Sequence, residues 1–271
     1  MRYAKTAVFV SLILTACPRN RGSNDDPLTQ QEAELALEEA SAASEAEALM
    51  SANVEISTNF TIGNAVRDAA DELGRFIRTQ LPCAEVTLEE STLMVDYGVN
   101  AGACEYRGQK FSGSSSVTVE RNSEEQVIVH HEWNDLSNGN VKLNGSADVT
   151  WDFAAKERHV VHHSEWTDIP SGRVGVGEGD RVQRALSGGI AEGIGVEGSR
   201  SWKGAGGTWD LAIEGVEMRW SDPVPQSGSY TLVTPDDKTL SLSFERADAD
   251  TITVTITGPR QRSFSFDVSK P

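Results

Sequence analysis

The sequence is short of basic residues, aromatic residues and cysteines. Its 271 residues contain 24 Lys and Arg against 41 Asp and Glu, which gives a net charge of −17. Aromatic residues make up 7% of the chain, and there are three cysteines. Contacts with nucleic-acid phosphates need a basic surface, so this charge argues against nucleic acid as the main partner. The composition also excludes a collagen-like chain, a coiled coil and a membrane protein with several spans.

The sequence also lacks the motifs that identify catalytic and cofactor-binding sites. The chain has no G-x-S-x-G sequence, no H-E-x-x-H pair and no EF-hand loop. A glycine run from Gly172 to Gly207 lacks the Lys-Ser/Thr of a phosphate-binding loop. We therefore predict no catalytic residue and no cofactor, and we interpret the glycines as marks of close-packed or bulged strands.

The first 17 residues have the layout of an export signal. Arg2 and Lys5 precede a short apolar run from Ala7 to Leu14, which is followed by Leu14-Thr15-Ala16-Cys17. This segment resembles the lipobox of bacterial lipoproteins. The resemblance implies cleavage after Ala16 and lipidation of Cys17, and several acyl chains together anchor a protein stably. The alternative is an ordinary secretory signal that happens to end in cysteine.

The lipobox resemblance also sets the expected localisation and the division of the chain. Residue 18 is Pro and not the Asp that favours retention in the inner membrane, so we expect a lipid anchor in the outer membrane. The membrane would be contacted only through this lipid, because the acidic chain is repelled by anionic surfaces. The expected organisation is a signal peptide over 1–16, a lipidated tether over 17–30, an acidic helical spacer over 31–57 and a single β-rich domain over 58–271.

Two helices are predicted before the strands begin. Gln31 to Met50 is rich in Ala and Glu with a thin apolar stripe, and no basic residue lies between Arg21 and Arg67. This spacer is a solvated, partly frayed helix, a stand-off stalk, or a docking helix for a basic partner. The second helix, within 60–80, carries apolar residues at helical spacing from Ile62 to Ile77 and should pack against the sheet.

Two cysteines remain if Cys17 carries lipid. An even pair in an exported protein predicts a disulfide, here between Cys83 and Cys104, near the end of the second helix. A reactive thiol is the alternative, but no CxxC sequence or basic neighbour favours it.

From Glu85 onward the apolar residues alternate with polar ones. The clearest strands are 239–245, 251–257 and 263–268, where one face is apolar and the other polar. Turn residues separate about twelve such segments, and no long helix interrupts them. The predicted fold class is α+β, mainly β: one or two N-terminal helices followed by a large antiparallel meander sheet, arranged as a curved half-barrel, a barrel or a sandwich.

All five histidines lie near two similar segments. Val129-His130-His131-Glu132-Trp133 is echoed by Val161-His162-His163-Ser164-Glu165-Trp166. Histidine pairs are candidate zinc or copper ligands. However, adjacent residues of a strand point to opposite faces, and a meander would separate the two strands by a third, about 9.5 Å in all. We therefore predict that the histidines are ordinary cross-strand residues of the sheet and that they bind no metal. If a metal does bind, the candidate ligands are His130, His131, His162 and His163.

The six tryptophans all lie between residues 133 and 220. Exposed aromatic strips can stack on sugars, but Trp151, Trp209 and Trp220 share the apolar parity of their strands. We interpret them as core residues.

These features favour a non-enzymatic lipoprotein with a binding or envelope-structural role. The mature region resembles β-rich envelope lipoproteins of myxobacteria, a likeness that implies no activity. The main alternative is a carrier or chaperone of a hydrophobic ligand, which needs an open apolar cavity next to Leu242, Phe244, Ile252 and Phe264. An envelope enzyme is the third hypothesis.

Overall fold

A computed structural model describes residues 25–57, 66–121, 127–152, 155, 157–204, 206–222 and 224–269. The predicted signal peptide, Cys17 and Pro18 lie outside these residues. Within the described residues, no helix has both the length and the apolar character needed to cross a membrane. The helices are α1 (Gln30–Ile56) and α2 (Val66–Gln80), and a short 3-10 helix covers Pro259–Gln261. The strands are β1 (Glu85–Glu89), β2 (Thr92–Tyr97), β3 (Glu105–Tyr106), β4 (Gln109–Lys110), β5 (Ser112–Arg121), β6 (Val127–Ser137), β7 (Val141–Asp152), β8 (Glu157–Asp168), β9 (Val174–Leu186), β10 (Gly189–Gly204), β11 (Gly207–Arg219), β12 (Ser227–Val233), β13 (Thr239–Arg246), β14 (Thr251–Thr257) and β15 (Ser263–Ser269).

Thirteen of the strands form one antiparallel sheet in which neighbours in sequence are neighbours in space. The order is β1, β2 and then β5 through β15, while β3 and β4 pair only with each other as a small hairpin. The predicted α+β, mainly β class is confirmed. The sheet is not closed into a barrel, and the thirteen strands are not divided into two packed sheets, so those two arrangements are wrong.

The alternation of apolar and polar residues matches the observed burial closely. In β13, Leu240 and Leu242 are fully buried, and in β14 Val254 and Ile256 are too, while the threonines between them are partly exposed. We call the face that carries these apolar residues, and that contacts α1, the inner face, and the opposite one the outer face. At Gly215 of β11 the alternation changes phase, and the pairing of β11 with β12 shifts between Glu214 and Glu217, as it does at a β-bulge.

Helix α1 is covered by the sheet and is not a solvated spacer. It begins with a capping box in which Thr29 and Glu32 satisfy each other's backbone N–H groups. Sixteen of its 27 residues are buried, and from Leu49 to Ile56 every residue is buried. The expectation of an acidic spacer over 31–57 outside the domain is therefore wrong. Its acidic side chains are matched by basic side chains of the sheet, so the helix can be buried without a broad apolar stripe.

Helix α2 packs over the first strands, as its apolar pattern predicts. Ala70, Leu73 and Ile77 are fully buried, and the helix contacts β1, β2 and β5. The chain leaves α2 at Gln80 and reaches Cys83, which forms the predicted disulfide with Cys104 at a Cα–Cα distance of 5.3 Å. The disulfide therefore joins the end of α2 to the segment before the β3–β4 hairpin.

The glycines of β9 make room for large side chains of neighbouring strands. A Cβ atom at Gly175 would lie 2.3 Å from the Trp166 ring, and one at Gly179 would lie 2.3 Å from the His162 ring. Both contacts are impossible for any other residue without movement of the ring. The interpretation of the glycine run as close-packed strands is confirmed.

Candidate functional site

The two histidine pairs are divided between the faces of the sheet. Strand β7 lies between β6 and β8, and Ala147 is the cross-strand partner of both His131 and His162. These two histidines are buried on the inner face, whereas His130 and His163 are on the outer face. The structure does not bring the four together, and in the described part of the chain no group of three or more His, Cys, Asp or Glu is arranged to hold a metal ion.

Burial keeps the inner histidines neutral. His131 is fully enclosed, and desolvation, aided by the positive charge of Arg158, lowers its pKa to about 3. Neither of its ring nitrogens has a hydrogen-bond partner among the described residues. Desolvation and nearby Arg200 lower the pKa of His162 to about 4, and its Nδ1 lies 2.9 Å from an amino group of Arg181. Both side chains are thus structural groups and are not poised to exchange protons near neutral pH.

The outer face of β7 to β12 contains a groove of about 570 Å³. We call it the outer groove. Its floor is made of small or apolar side chains, including Val161, Ala212 and Val233, and Val161 is 43% exposed. The acidic and imidazole side chains that line it are Asp148, His163, Glu178, Asp180 and Asp210.

The carboxylates of the outer groove differ in their partners. Asp148 contacts Nδ1 of His130, whose Nε2 lies 3.4 Å from Glu120, and Asp180 contacts Nε2 of His159. Glu178 and Asp210 form no ion pair with any described residue. The groove therefore presents two free negative charges beside an apolar floor, which suits a ligand that is positively charged and partly apolar.

The inner face carries a second set of charges, which we call the acid–base ladder. Its acids are Glu32, Glu39, Glu47 and Glu55 of α1, seven or eight residues apart. Its bases are Arg158, Arg181 and Arg200 of the strands, with Arg173 and Lys238 of the turns before β9 and β13. About two helical turns separate successive acids, so the four are spaced along the length of α1. Each acid meets at least one of these basic side chains, and this fixes the position of the helix along the inner face.

The middle of the ladder is deeply buried. Arg181 is fully buried and pairs with Glu47, while Arg200 donates to the carbonyl oxygen of Ala43 at 2.9 Å and to Ser44 Oγ at 3.1 Å. Arg158 donates to Glu55 at 3.1 Å, and their side chains are 3% and 7% exposed. Desolvation and neighbouring Arg200 lower the pKa of Arg181 to about 9, which still leaves it charged at pH 7.

Little space remains between α1 and strands β8 to β10. The cavity lined by Ala43, Met50 and the inner face of β8 to β10 has a volume of about 20 Å³, enough for about one water molecule. On the inner face of the C-terminal strands β13 and β14, Leu242 and Ile252 are also fully enclosed. Leu28, which precedes α1, packs against Gly258 and Leu240 there. A bound molecule of lipid size has no place at these positions. Clefts of about 490 and 390 Å³ lie beside the β3–β4 hairpin, and the smaller one borders Ser44, Glu45 and Ala48 of α1. The outer groove, of about 570 Å³, differs from both because its lining is mainly apolar.

The sequence analysis missed the arginines of the ladder. Arg158, Arg181 and Arg200 each occupy an inward-facing position where the alternation calls for an apolar residue. The signal was the coincidence of three such exceptions with an acidic segment that contains no basic residue. The tryptophans were interpreted correctly, since five of them are buried and Trp151 is partly buried against the core. In comparisons with known proteins, no family model, no curated protein and no solved structure matches this chain.

Proposed function

We propose that the protein is a non-enzymatic lipoprotein, anchored in the outer membrane through Cys17, that binds an envelope component on its outer face. The anchor rests on the lipobox at Leu14 to Cys17 and on Pro18. The observation that carries the binding role is the outer groove itself, an open cleft of about 570 Å³ in which unpaired carboxylates lie beside an apolar floor.

The charge of the outer groove selects the class of ligand. Glu178 and Asp210 would attract a cationic group, and the exposed floor around Val161 would cover an apolar one. A basic peptide segment of another envelope protein has both properties. Binding to such a segment would link the anchored lipoprotein to its neighbour, which is the envelope-structural role.

Membrane fractionation tests the anchor. The Cys17→Ser variant should move from the membrane pellet to the soluble fraction, because it has no thiol to acylate. Equal pelleting of the variant and the parent chain would contradict the anchor.

A photo-cross-linking amino acid tests the outer groove in isolated envelopes. Placed at Ala212 it should give a defined adduct, whereas at Ser243, on the outer face of β13 and outside the groove, it should not. Glu178→Lys with Asp210→Lys should abolish the adduct. Glu85→Lys with Glu89→Lys, an equal change of charge on β1, should leave it intact. An adduct of equal strength after both changes would contradict binding in the groove.

A carrier of hydrophobic ligands is the second candidate, and one observation favours it. The contact between α1 and the sheet is polar at its centre, where Arg158, Arg181 and Arg200 face carboxylates and hydroxyl groups of the helix. Buried ion pairs stabilise less than apolar packing of the same volume, so such a contact is easier to exchange. A carrier would release α1 and take its cargo in the same place.

A further inference from the structure

We propose that the free edge of β15 is an interface through which two copies of this chain pair. Strand β15 pairs with β14 over all seven of its residues, without a shift. Among the described residues, no strand pairs with its other side. Its outward-directed N–H and C=O groups therefore form a row of unpaired donors and acceptors, which is a template for another strand.

The two edges of the sheet differ in how they are protected. At the other edge, β1 is five residues long, carries Glu85 and Glu89 on the exposed face, and is covered by α2. Strand β15 has seven residues, Ser-Phe-Ser-Phe-Asp-Val-Ser, with a single charge at Asp267. It has no proline, no lysine and no bulge within these residues, which are the usual means of preventing edge pairing.

The apolar side of β15 is incompletely covered. Phe264, Phe266 and Val268 are only half-buried, whereas their cross-strand partners on β14, Ile256, Val254 and Ile252, are fully buried. An added strand on the free side would place its own side chains beside these three. The edge thus offers both hydrogen bonds and apolar area to a partner.

The sequence of β15 is complementary to itself. Antiparallel pairing about a two-fold axis at Phe266 places Phe264 opposite Val268 of the second copy and Phe266 opposite its own equivalent. On the other face it places Ser265 opposite Asp267, so no two like charges are directly opposed. A closed two-fold dimer needs this kind of self-complementary surface. A second copy is therefore the partner that the edge fits.

Sedimentation velocity of the chain from Pro18 to Pro271, which contains every described residue, tests the pairing. A single strand pair buries little area, so we expect a reversible dimer over about 1 to about 200 µM protein. The measurement needs no lipid, and its result does not depend on the proposed anchor or on the outer groove. A monomer across the whole range would overturn the proposal.

Two substitutions at Ser265 test the pairing itself. Ser265→Asp places the new carboxylate of each copy opposite Asp267 of the other copy, on both sides of the central Phe266 pair. Dimerisation should therefore weaken at least tenfold. Ser265→Lys places opposite charges together and should preserve or strengthen the dimer. Ser265 is exposed and contacts only the Thr255 hydroxyl among described side chains, so both variants should fold. Equal effects of the two substitutions would overturn the edge-to-edge arrangement.

Spin labels measure the register. In pairing centred on Phe266, a nitroxide at Ser265→Cys is offset from its equivalent by about 7 Å along the strand, and one at Ser263→Cys or Ser269→Cys by about 20 Å. The expected result is a short distance at 265 and longer, equal distances at 263 and 269. Any other order would place the dimer contact elsewhere. Hydrogen exchange on the monomer tests whether the edge is free. Strong protection of the outward-directed β15 amides would mean that another part of the same chain covers the edge, and would also overturn the proposal.

Discussion

The side chains of Asn53 and Trp133, 80 residues apart, connect helix α1 to the middle of the sheet. The indole Nε1 of Trp133 donates to Asn53 Oδ1 at 2.9 Å, and Asn53 Nδ2 donates to the hydroxyl of Tyr97 at 2.7 Å. One fully buried amide thus satisfies polar groups from β6 and β2 at once. Buried donors that lose their partners are costly, so this contact holds the C-terminal half of α1 in place.

Replacing Asn53 by Ala should destabilise the fold by about 3 kcal/mol, since it removes two buried hydrogen bonds and leaves the Trp133 N–H unpaired. Urea denaturation measures this loss. Asn140→Ala is the matched control, because Asn140 is exposed in the β6–β7 turn and its loss should cost less than about 0.5 kcal/mol. Equal effects of the two substitutions would contradict the role of Asn53.

The acid–base ladder predicts a strongly non-additive pair of substitutions. Arg158→Met alone leaves the buried carboxylate of Glu55 without its arginine and should cost about 3–5 kcal/mol. Adding Glu55→Leu should recover most of that loss, because the buried charge disappears with its partner. A double-mutant cycle by chemical denaturation checks this, and additive losses would show that the two side chains act separately.

The buried histidines predict a loss of stability in acid. Burial lowers the pKa of His131 to about 3 and that of His162 to about 4, so below pH 6.5 the unfolded chain binds protons that the folded chain does not. Stability is therefore fully present above the unfolded pKa and falls as the pH drops towards the folded values. Between pH 7 and pH 5 each histidine should contribute about 2 kcal/mol of this loss.

His131→Leu should remove its share of the acid sensitivity, whereas Val117→Ala, at the buried cross-strand neighbour of His131 that does not titrate, should lower the stability equally at both pH values. Thermal or urea unfolding at pH 7 and pH 5 gives both values. Glu39 acts in the opposite direction, because burial raises the pKa of its carboxyl group and protonation relieves that cost in acid. An unchanged pH dependence in His131→Leu would contradict the assignment.

The disulfide between Cys83 and Cys104 should stabilise the fold by about 3 kcal/mol, as expected for the loop between residues 21 apart. Replacing both cysteines by Ala should lower the melting temperature by roughly 5 °C or more, and a reducing agent should act on the parent chain in the same direction. The double variant should then be insensitive to reductant. If the parent chain melts at the same temperature with and without reductant, the bond does not contribute.

Much of the sheet could be predicted from sequence, because one face is apolar and the other polar. The predicted ranges 251–257 and 239–245 coincide with β14 and almost with β13. The disulfide was predictable for a different reason, since only two cysteines remained to pair.

The position of α1 could not be predicted, because its partners are distant in sequence and its buried residues are largely alanines mixed with glutamates and serines. Glu55 meets Arg158, 103 residues away, and Ser44 meets Arg200, 156 residues away. Buried glutamates and serines in a helix of this composition indicate a solvated helix until the arginines that face them are known. The outer groove could not be predicted either, since Val161, Glu178 and Ala212 come together only through the pairing of four adjacent strands, β8 to β11.

Native mass spectrometry of the chain from Pro18 to Pro271, exported to a periplasm and purified gently, tests the central claim most directly. The account holds that α1 fills the inner face and that ligands bind outside it. It predicts a mass that organic solvent does not change, apart from any dimer formed through β15. Extra mass of a lipid, released by organic solvent, would contradict the account in favour of a carrier, whereas a bound peptide would agree with binding in the outer groove.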